Sequence, residues 1–429
     1  MADRLLNNRD SKLEAGVLSP PKGNVPKEIK IDEMKLERVA RPLRNVKFIP
    51  TKALVFRSKH GPTEFSYDSK IKLPVPKNKL VVQVKYVGLN PIDFKIRNGY
   101  SSAIYREAGL GREYSGMITH VGQNLQGHWN IGDEVFGIFY HPHLAIGCLQ
   151  TSILIDPSVD PILVRPEGLS PTAAAGSLYC LGTAFNILDR LERKGFLKNE
   201  ANILINGGTS SVAMFTIQLL KYHYKVAKKL MIVTTGSSSE KLKIFFPDLR
   251  EEMLFIDYLK CRGKSSKPLR KVISEQKISI IDSQTNNEIE TVYDQGKFDI
   301  VLDFIGGYDI LRHSTSLINK NGAYVTTVGD YVSDYKNDIY NSLDNPSANA
   351  RKLFGSMLYS YDYSHFYFDP NVKLASKNDW INRCYELLDS QIVTCIVDKV
   401  YDWKDHEDAF AYMLTQRAQG KLILRVEEF

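Results

Sequence analysis

The chain has 429 residues, of which 43% are hydrophobic and 24% charged, so at about 150 residues per domain it should fold into two or three packed domains, and disorder is excluded as its main state. The net charge of +7 is too dilute over this length to indicate nucleic acid. Mean hydropathy is slightly negative and no run of about 18 apolar residues occurs, which excludes a spanning helix and leaves only peripheral membrane contact. The opening Met-Ala-Asp-Arg turns polar at once, so an intracellular protein is expected. Five cysteines, with no C-x-x-C pair, suggest neither a disulfide framework nor a zinc knuckle.

In chain order, residues 1–47 combine few apolar side chains with Pro20, Pro21, Pro26 and Pro42 and read as a polar, disordered extension, with at most one short helix near Ile29 to Val39. From residue 48 to 178 short apolar runs alternate with turn residues: Lys52–Arg57, Leu80–Val87, Tyr114–Val121 and Glu134–Tyr140. Their period of two, punctuated by Gly88, Gly111, Gly116, Gly122, Gly132 and Gly137, predicts an antiparallel β-domain of barrel type. After Pro171 the period switches, and residues 179–345 are assigned to a second, nucleotide-binding domain. A helix over Ala173 to Leu191 leads into strands at Ala201–Asn206, Leu230–Thr235, Phe298–Phe304 and Ala323–Val328. Helices at Val212–Tyr224 and Leu311–Asn319 alternate with them, which gives βαβ units and a parallel sheet. Residues 259–295 read as a helix plus a surface excursion, and 330–372 as a Tyr/Asp/Asn-rich stretch of little periodicity. The elements beyond, helix Trp380–Leu388, strand Val393–Val400, helix His406–Gln416 and strand Lys421–Val426, are assigned with 346–429 as a return to the first domain.

Chemistry is concentrated at the strand ends. Ala201 to Asn206 runs into Gly207, Gly208, Thr209, Ser210, Ser211 and Val212 and then a helix, the context of a dinucleotide-binding turn. The positions that want small residues hold Gly207, Ser210 and Ala213, and Ser210 adds a Cβ where phosphate approaches. A working cofactor turn and a βα turn kept without its ligand are both open readings. The next strand ends in Thr234, Thr235, Gly236 and Ser237 with Lys241 just beyond; hydroxyls and a cation, with no acidic residue, suit a 2′-phosphate, so NADPH is favoured over NADH, while an N-capped helix start explains the same residues. Gly306 and Gly307 follow Asp303 where backbone can approach a nicotinamide, or form an ordinary turn. His141, His143 and Cys148 offer three potential ligands without a shared geometry, so no metal is expected.

Taken together, Val87 to Tyr100, Gly111-Arg-Glu-Tyr-Ser-Gly116, Ile131 to Gly137, Gly182-Thr-Ala184, the turn at Gly207, Ile256-Asp-Tyr258, Gly306-Gly307 and Gly420-Lys421 resemble the quinone-oxidoreductase branch of the medium-chain dehydrogenase/reductase superfamily. The resemblance runs from about residue 50 to the end. It implies a GroES-like β-barrel domain with an inserted Rossmann-type doubly wound parallel-sheet domain, and NADPH between them. It further implies that Asn90 and Thr183 line the nicotinamide, Gly207 to Val212 the pyrophosphate, and Lys241 and Tyr258 the 2′-phosphate. Arg112 stands where the zinc-dependent branch carries a catalytic His, and Lys95 where many quinone reductases carry Tyr. Length, extension and insertions are similar to a narrower fungal group, the ATPase-stabilising proteins. That likeness implies a cytoplasmic factor, peripheral to secretory-pathway and plasma membranes, that assists targeting of the plasma-membrane proton ATPase. The alternative is an NADPH-dependent quinone or enone oxidoreductase, and the superfamily's habit of dimerising implies a homodimer.

Overall fold

A computed structural model describes residues 47–429 apart from 60, 103, 105, 145, 282–286, 341–345, 376–377 and 427–429. The expectations for the N-terminal extension, including its short helix, fall outside the described residues.

Antiparallel strands build most of the first domain, with one parallel pair, Val397–Asp402 beside Lys421–Arg425. Its seven-stranded sheet runs in the order Ile162–Val164, Glu134–Ile138, Glu113–Val121, Leu80–Gly88, Lys421–Arg425 and Val397–Asp402, with Ser152–Ile155 also pairing with Leu80–Gly88. Alternation fixes which face is inside: Leu80, Val82 and Val84 are buried, and they pack with Leu54, Phe56, Trp403, Phe410, Leu422 and Leu424 into one core. The C-terminal strand is therefore held by the first domain, pairing antiparallel with Leu80–Gly88 through Ile423, Leu424 and Arg425.

The second domain is a six-stranded parallel sheet in the order Met253–Asp257, Leu230–Thr234, Ile203–Asn206, Phe298–Asp303, Ile318–Thr326 and Asp362–His365. Strand order reverses between Ile203–Asn206 and Phe298–Asp303, the switch point outside whose C-terminal ends doubly wound sheets bind ligands. Both faces are covered. Ile203, Ile205 and Ile232 pack under helices Leu178–Arg193, Ser211–Gln218 and Trp380–Asp389. Leu204, Met231 and Val233 pack under Ser266–Glu275.

Several expectations need correction. The helix expected over Ala173 to Leu191 is two, Pro171–Ala175 and Leu178–Arg193, because the first closes at Gly176. The helix expected at Leu311–Asn319 is likewise two short turns, Tyr308–Arg312 and Ser314–Leu317, and Ile318 already pairs with Phe298 as strand. The α-helix begun at Ser211 ends at Gln218 in a wider turn over Leu219–His223. Strand Met253–Asp257 was not anticipated. The excursion at 259–295 holds helix Ser266–Glu275 and a hairpin of Lys277–Ile281 with Glu288–Val292. Finally, 330–372 contains helix Pro346–Leu358 and strand Asp362–His365. That strand is the sixth of the parallel sheet, so the second domain runs past the expected limit at 345; Asp-Tyr-Ser-His carries no apolar period, and its pairing is supplied by its neighbour's backbone.

Candidate functional site

The nucleotide-side turn is built by backbone. Gly207 follows strand Ile203–Asn206 with φ +92°, a conformation that penalises side chains, and a Cβ there would lie 2.7 Å from the Ile305 side chain. Gly208 and Thr209 complete the turn, and Ser210 is the N-cap of the helix starting at Ser211, its Oγ accepting from the Ala213 N–H at 3.2 Å. Ser210, expected to add a Cβ where a phosphate approaches, uses its hydroxyl to cap the helix. The Ser211 and Val212 N–H groups open that helix and have no intrahelical acceptor, the donor set an anionic pyrophosphate takes.

One strand over, Thr235 is the N-cap of helix Gly236–Phe245, accepting from the Ser238 N–H at 3.0 Å, and its Oγ1 lies 3.1 Å from Ser237 Oγ. Asp257 accepts from the Gly236 N–H at 3.1 Å. Residues from the far end of the chain reach in: Arg417 Nη1 donates to Tyr258 Oη at 2.5 Å and Gln419 Nε2 to Ser238 Oγ at 2.8 Å. Lys241 is exposed and makes no hydrogen bond or ion pair among the described residues. The Thr235, Ser237 and Ser238 hydroxyls, Tyr258 with Arg417, and the Asp257 carboxylate gather at the start of this helix, and Lys241 lies one turn further along it. Together with the Gly207 turn they make a site of the chemistry a nicotinamide dinucleotide takes; Arg417 was missed because nothing near it in sequence marks it.

The nicotinamide side is different. Asn90-Pro-Ile-Asp93 starts helix Pro91–Asn98 with a capping box: Pro at the first position, and the Asn90 N–H donating to Asp93 Oδ2 at 2.9 Å. Asp93 also accepts from the Gly111 N–H at 3.0 Å. Burial raises its pKa, against the neighbouring Arg112. Arg112 itself is fully buried and donates to the Gly109 and Ile146 carbonyls. Beside this lies a buried junction. Lys421 Nζ donates to Glu113 Oε1 at 2.5 Å, to Asn90 Oδ1 at 2.6 Å and to Cys180 Sγ at 3.4 Å. Glu113 also accepts from Asn90 Nδ2 at 2.8 Å and from the Tyr179 N–H at 3.1 Å. Burial pulls the Lys421 pKa down, but Cys180 and Glu113 outweigh it and hold the ammonium above the ordinary lysine range. Both ends of the Asn90 amide, expected to line the nicotinamide, are thus committed to Glu113 and Lys421. Thr183 is buried in the same helix as Cys180, its hydroxyl donating to Tyr179 O at 2.8 Å. Gly420-Lys421 entered the sequence reading only as part of the family pattern; the fold alone brings Lys421 to Glu113, Asn90 and Cys180.

The Gly306-Gly307 pair has φ +79° and +95°, but the space over it is taken. A Cβ on Gly306 would lie 2.2 Å from Tyr331 O, and one on Gly307 2.8 Å from Val332 Cγ2. The close approach read as an opening for nicotinamide is made by the chain itself. From there residues 330–340 cross to the first domain as a strap. The Ser333 N–H donates to Ile305 O. Asn98 Nδ2 donates to Tyr335 O at 3.1 Å and Asp338 O at 2.8 Å. The Tyr340 N–H donates to Lys95 O, and Tyr340 Oη lies 2.9 Å from Tyr140 Oη. Lys95 also pairs with Asp338 at 3.6 Å. Tyr335 packs against the first domain's core, and burial, with Cys180 and Asp338 adding to it, pushes its phenol up to about 12. His141 and Cys148 do not converge: the former bonds Asp160 at 2.7 Å and the latter's thiol points at Glu113 O.

Comparison with known proteins agrees with this architecture. An alcohol dehydrogenase GroES-like domain model matches residues 76–153, and a zinc-binding dehydrogenase model matches 278–424. Protein AST1 of Saccharomyces cerevisiae is 63% identical over 432 residues, and Protein AST2 of the same yeast 63% over 431, each comparison covering 100% of both chains. Among solved structures, the quinone oxidoreductase from Coxiella burnetii is 20% identical with a TM-score of 0.63, covering 89% of this chain and 100% of its own. The human synaptic vesicle membrane protein VAT-1 homolog-like protein is 17% identical with a TM-score of 0.59, covering 89% and 99%. The chain therefore belongs to one family with the yeast proteins AST1 and AST2, and it has the medium-chain dehydrogenase/reductase fold that the quinone oxidoreductase shares.

Proposed function

We propose that this chain is a membrane-peripheral factor that assists targeting and stabilisation of the plasma-membrane proton ATPase, using a quinone-oxidoreductase-like body as a platform. It works from the cytoplasmic face of secretory-pathway and plasma membranes, as a homodimer. The observation that carries the platform reading is the strap: residues 330–340 fill the side of the cleft where a small substrate would meet a nicotinamide. The ATPase as partner rests on the family likeness alone. No helix among the described residues is long and apolar enough to cross a membrane.

A second reading, NADPH-dependent reduction of a quinone or enone, is favoured by the intact nucleotide side. When bound, NADPH supplies a hydride. The Gly207 turn and the Ser211 and Val212 N–H groups would hold its pyrophosphate, and Tyr258, Lys241 and Arg417 its 2′-phosphate. Fungal cells lacking the protein separate the two readings. Surface proton ATPase should fall and be restored both by the wild-type chain and by Gly207→Asp, which fills the turn. Unchanged surface ATPase, with rapid NADPH oxidation by the purified chain on a panel of small quinones, would overturn the platform reading.

A further inference from the structure

Of the five cysteines, Cys148, Cys261 and Cys395 direct their thiols at backbone carbonyls, whereas Cys180 meets a side-chain amine. Its Sγ lies 3.4 Å from Lys421 Nζ and 3.7 Å from Asn90 Oδ1, and the Ser211 hydroxyl also bonds it. Cys180 is 4% exposed and Lys421 2%, so neither side chain is free to turn away. The lysine's other two N–H groups are fixed by Glu113 and Asn90. A thiol, an amine and a carboxylate that can take the amine's proton are therefore locked together in one water-poor site.

We propose that Cys180 and Lys421 form a redox-reversible covalent bridge in which one oxygen joins Sγ to Nζ. The oxidant is dioxygen. The thiol, the ammonium and the Glu113 carboxylate react with one O2 to give S–O–NH, one water and protonated Glu113. Sulfur and nitrogen each lose two electrons, and dioxygen takes all four. An inserted oxygen suits the geometry better than a direct sulfur–nitrogen bond, because less closure of the 3.4 Å gap is needed. The bridge joins helix Leu178–Arg193 of the second domain to strand Lys421–Arg425 of the first, so oxidation fastens the two halves of the cleft; two dithiothreitols, each oxidised to its cyclic disulfide, supply the four electrons and protons that restore thiol and amine and leave the oxygen as water.

The test is peptide mass mapping of the full-length chain kept in air-saturated buffer, against the same protein kept anaerobically with dithiothreitol. The aerobic sample should contain the Cys180 peptide joined to the Lys421 peptide, heavier than their sum by one oxygen and lighter by two hydrogens. Trypsin should fail to cut after Lys421, and dithiothreitol should restore both peptides. Cys180→Ser should abolish the joined species, and Cys395→Ser should retain it. Aerobic protein that yields only free Lys421 peptide, with Cys180 either unmodified or carrying oxygens alone, would overturn the proposal, as would a joined peptide that survives in Cys180→Ser. The anaerobic wild-type sample shows the folded, unbridged state without any substitution.

Discussion

Acid sensitivity should centre on His365, the last residue of the sixth parallel strand. It is 1% exposed, its ring nitrogens lie beside the Val328 backbone without a well-formed hydrogen bond, and the ring packs 4.4 Å from that of Tyr367. Burial, helped by Lys352 and Lys95 and opposed by Asp330, lowers its pKa to about 4. In the unfolded chain the imidazole returns to about 6.5 and binds its proton more readily, so stability falls as pH drops through the window from about 6.5 to about 4. At about 1.36 kcal/mol per unit the full window is worth about 3 kcal/mol, of which about 2.5 kcal/mol is lost between pH 7 and pH 4.5. His365→Met fills the site with a side chain that does not titrate. Guanidinium unfolding of both proteins at the two pH values isolates the difference, since carboxylates titrating in the same range are common to both. The expected result is that the variant loses less stability than wild type on acidification, by about 2 kcal/mol. Parallel losses in the two proteins would show that His365 is proton-accessible when folded and refute the reasoning.

Three further outcomes follow from the site geometry. Ser210→Ala should cost about 1 kcal/mol of stability through the lost cap, and Ser210→Gly only a few tenths, with NADPH affinity by calorimetry nearly unchanged by the latter. Arg417→Ala should erode the preference for NADPH over NADH by about tenfold, the scale of one charge-assisted contact to phosphate, and Lys241→Glu should abolish it. Lys421→Met strands the buried Glu113 carboxylate and should destabilise by about 3–5 kcal/mol in urea titration, while adding Glu113→Gln should restore part of that loss.

How much of this was legible depends on whether a feature is local. The Gly207 turn and the Thr235 cap are set by residues within four positions of one another, and their types announced them; the Ser210 cap and the Asn90-Pro-Ile-Asp93 capping box are equally local but were not read from the sequence. The strand Leu80–Gly88 declared itself by alternation. Strand Asp362–His365 did not, because its burial comes from Tyr363, Ser364 and His365 beneath neighbours rather than from an apolar period. Glu113, Cys180 and Lys421 come from three distant stretches and meet only when the C-terminal strand inserts beside Leu80–Gly88. At Gly306-Gly307 the sequence left a nicotinamide approach and an ordinary turn both open; what approaches there is the chain's own Tyr331 and Val332.

The strap sets how much chemistry the cleft can do. Five hydrogen bonds tie it to the first domain: two from Asn98, two involving Tyr340, and one from Gln416 Nε2 to Ser333 O. At about 1 kcal/mol net each, these bonds alone make lifting it cost about 5 kcal/mol, and withdrawing Tyr335 from the first domain's core adds to that, so the open population is at most on the order of one in a few thousand. The Lys95–Asp338 pair adds little, since both side chains are partly exposed. The nucleotide side lies on other elements, so NADPH binding should not require this opening, whereas reduction of a substrate at the nicotinamide should. Asn98→Ala removes two of the five bonds and should raise the open fraction by about tenfold to thirtyfold. If the cleft retains reductase chemistry, NADPH-dependent quinone turnover should rise by that factor with NADPH affinity unchanged. Turnover that is fast in the wild type and indifferent to Asn98→Ala would mean that the strap does not close the cleft.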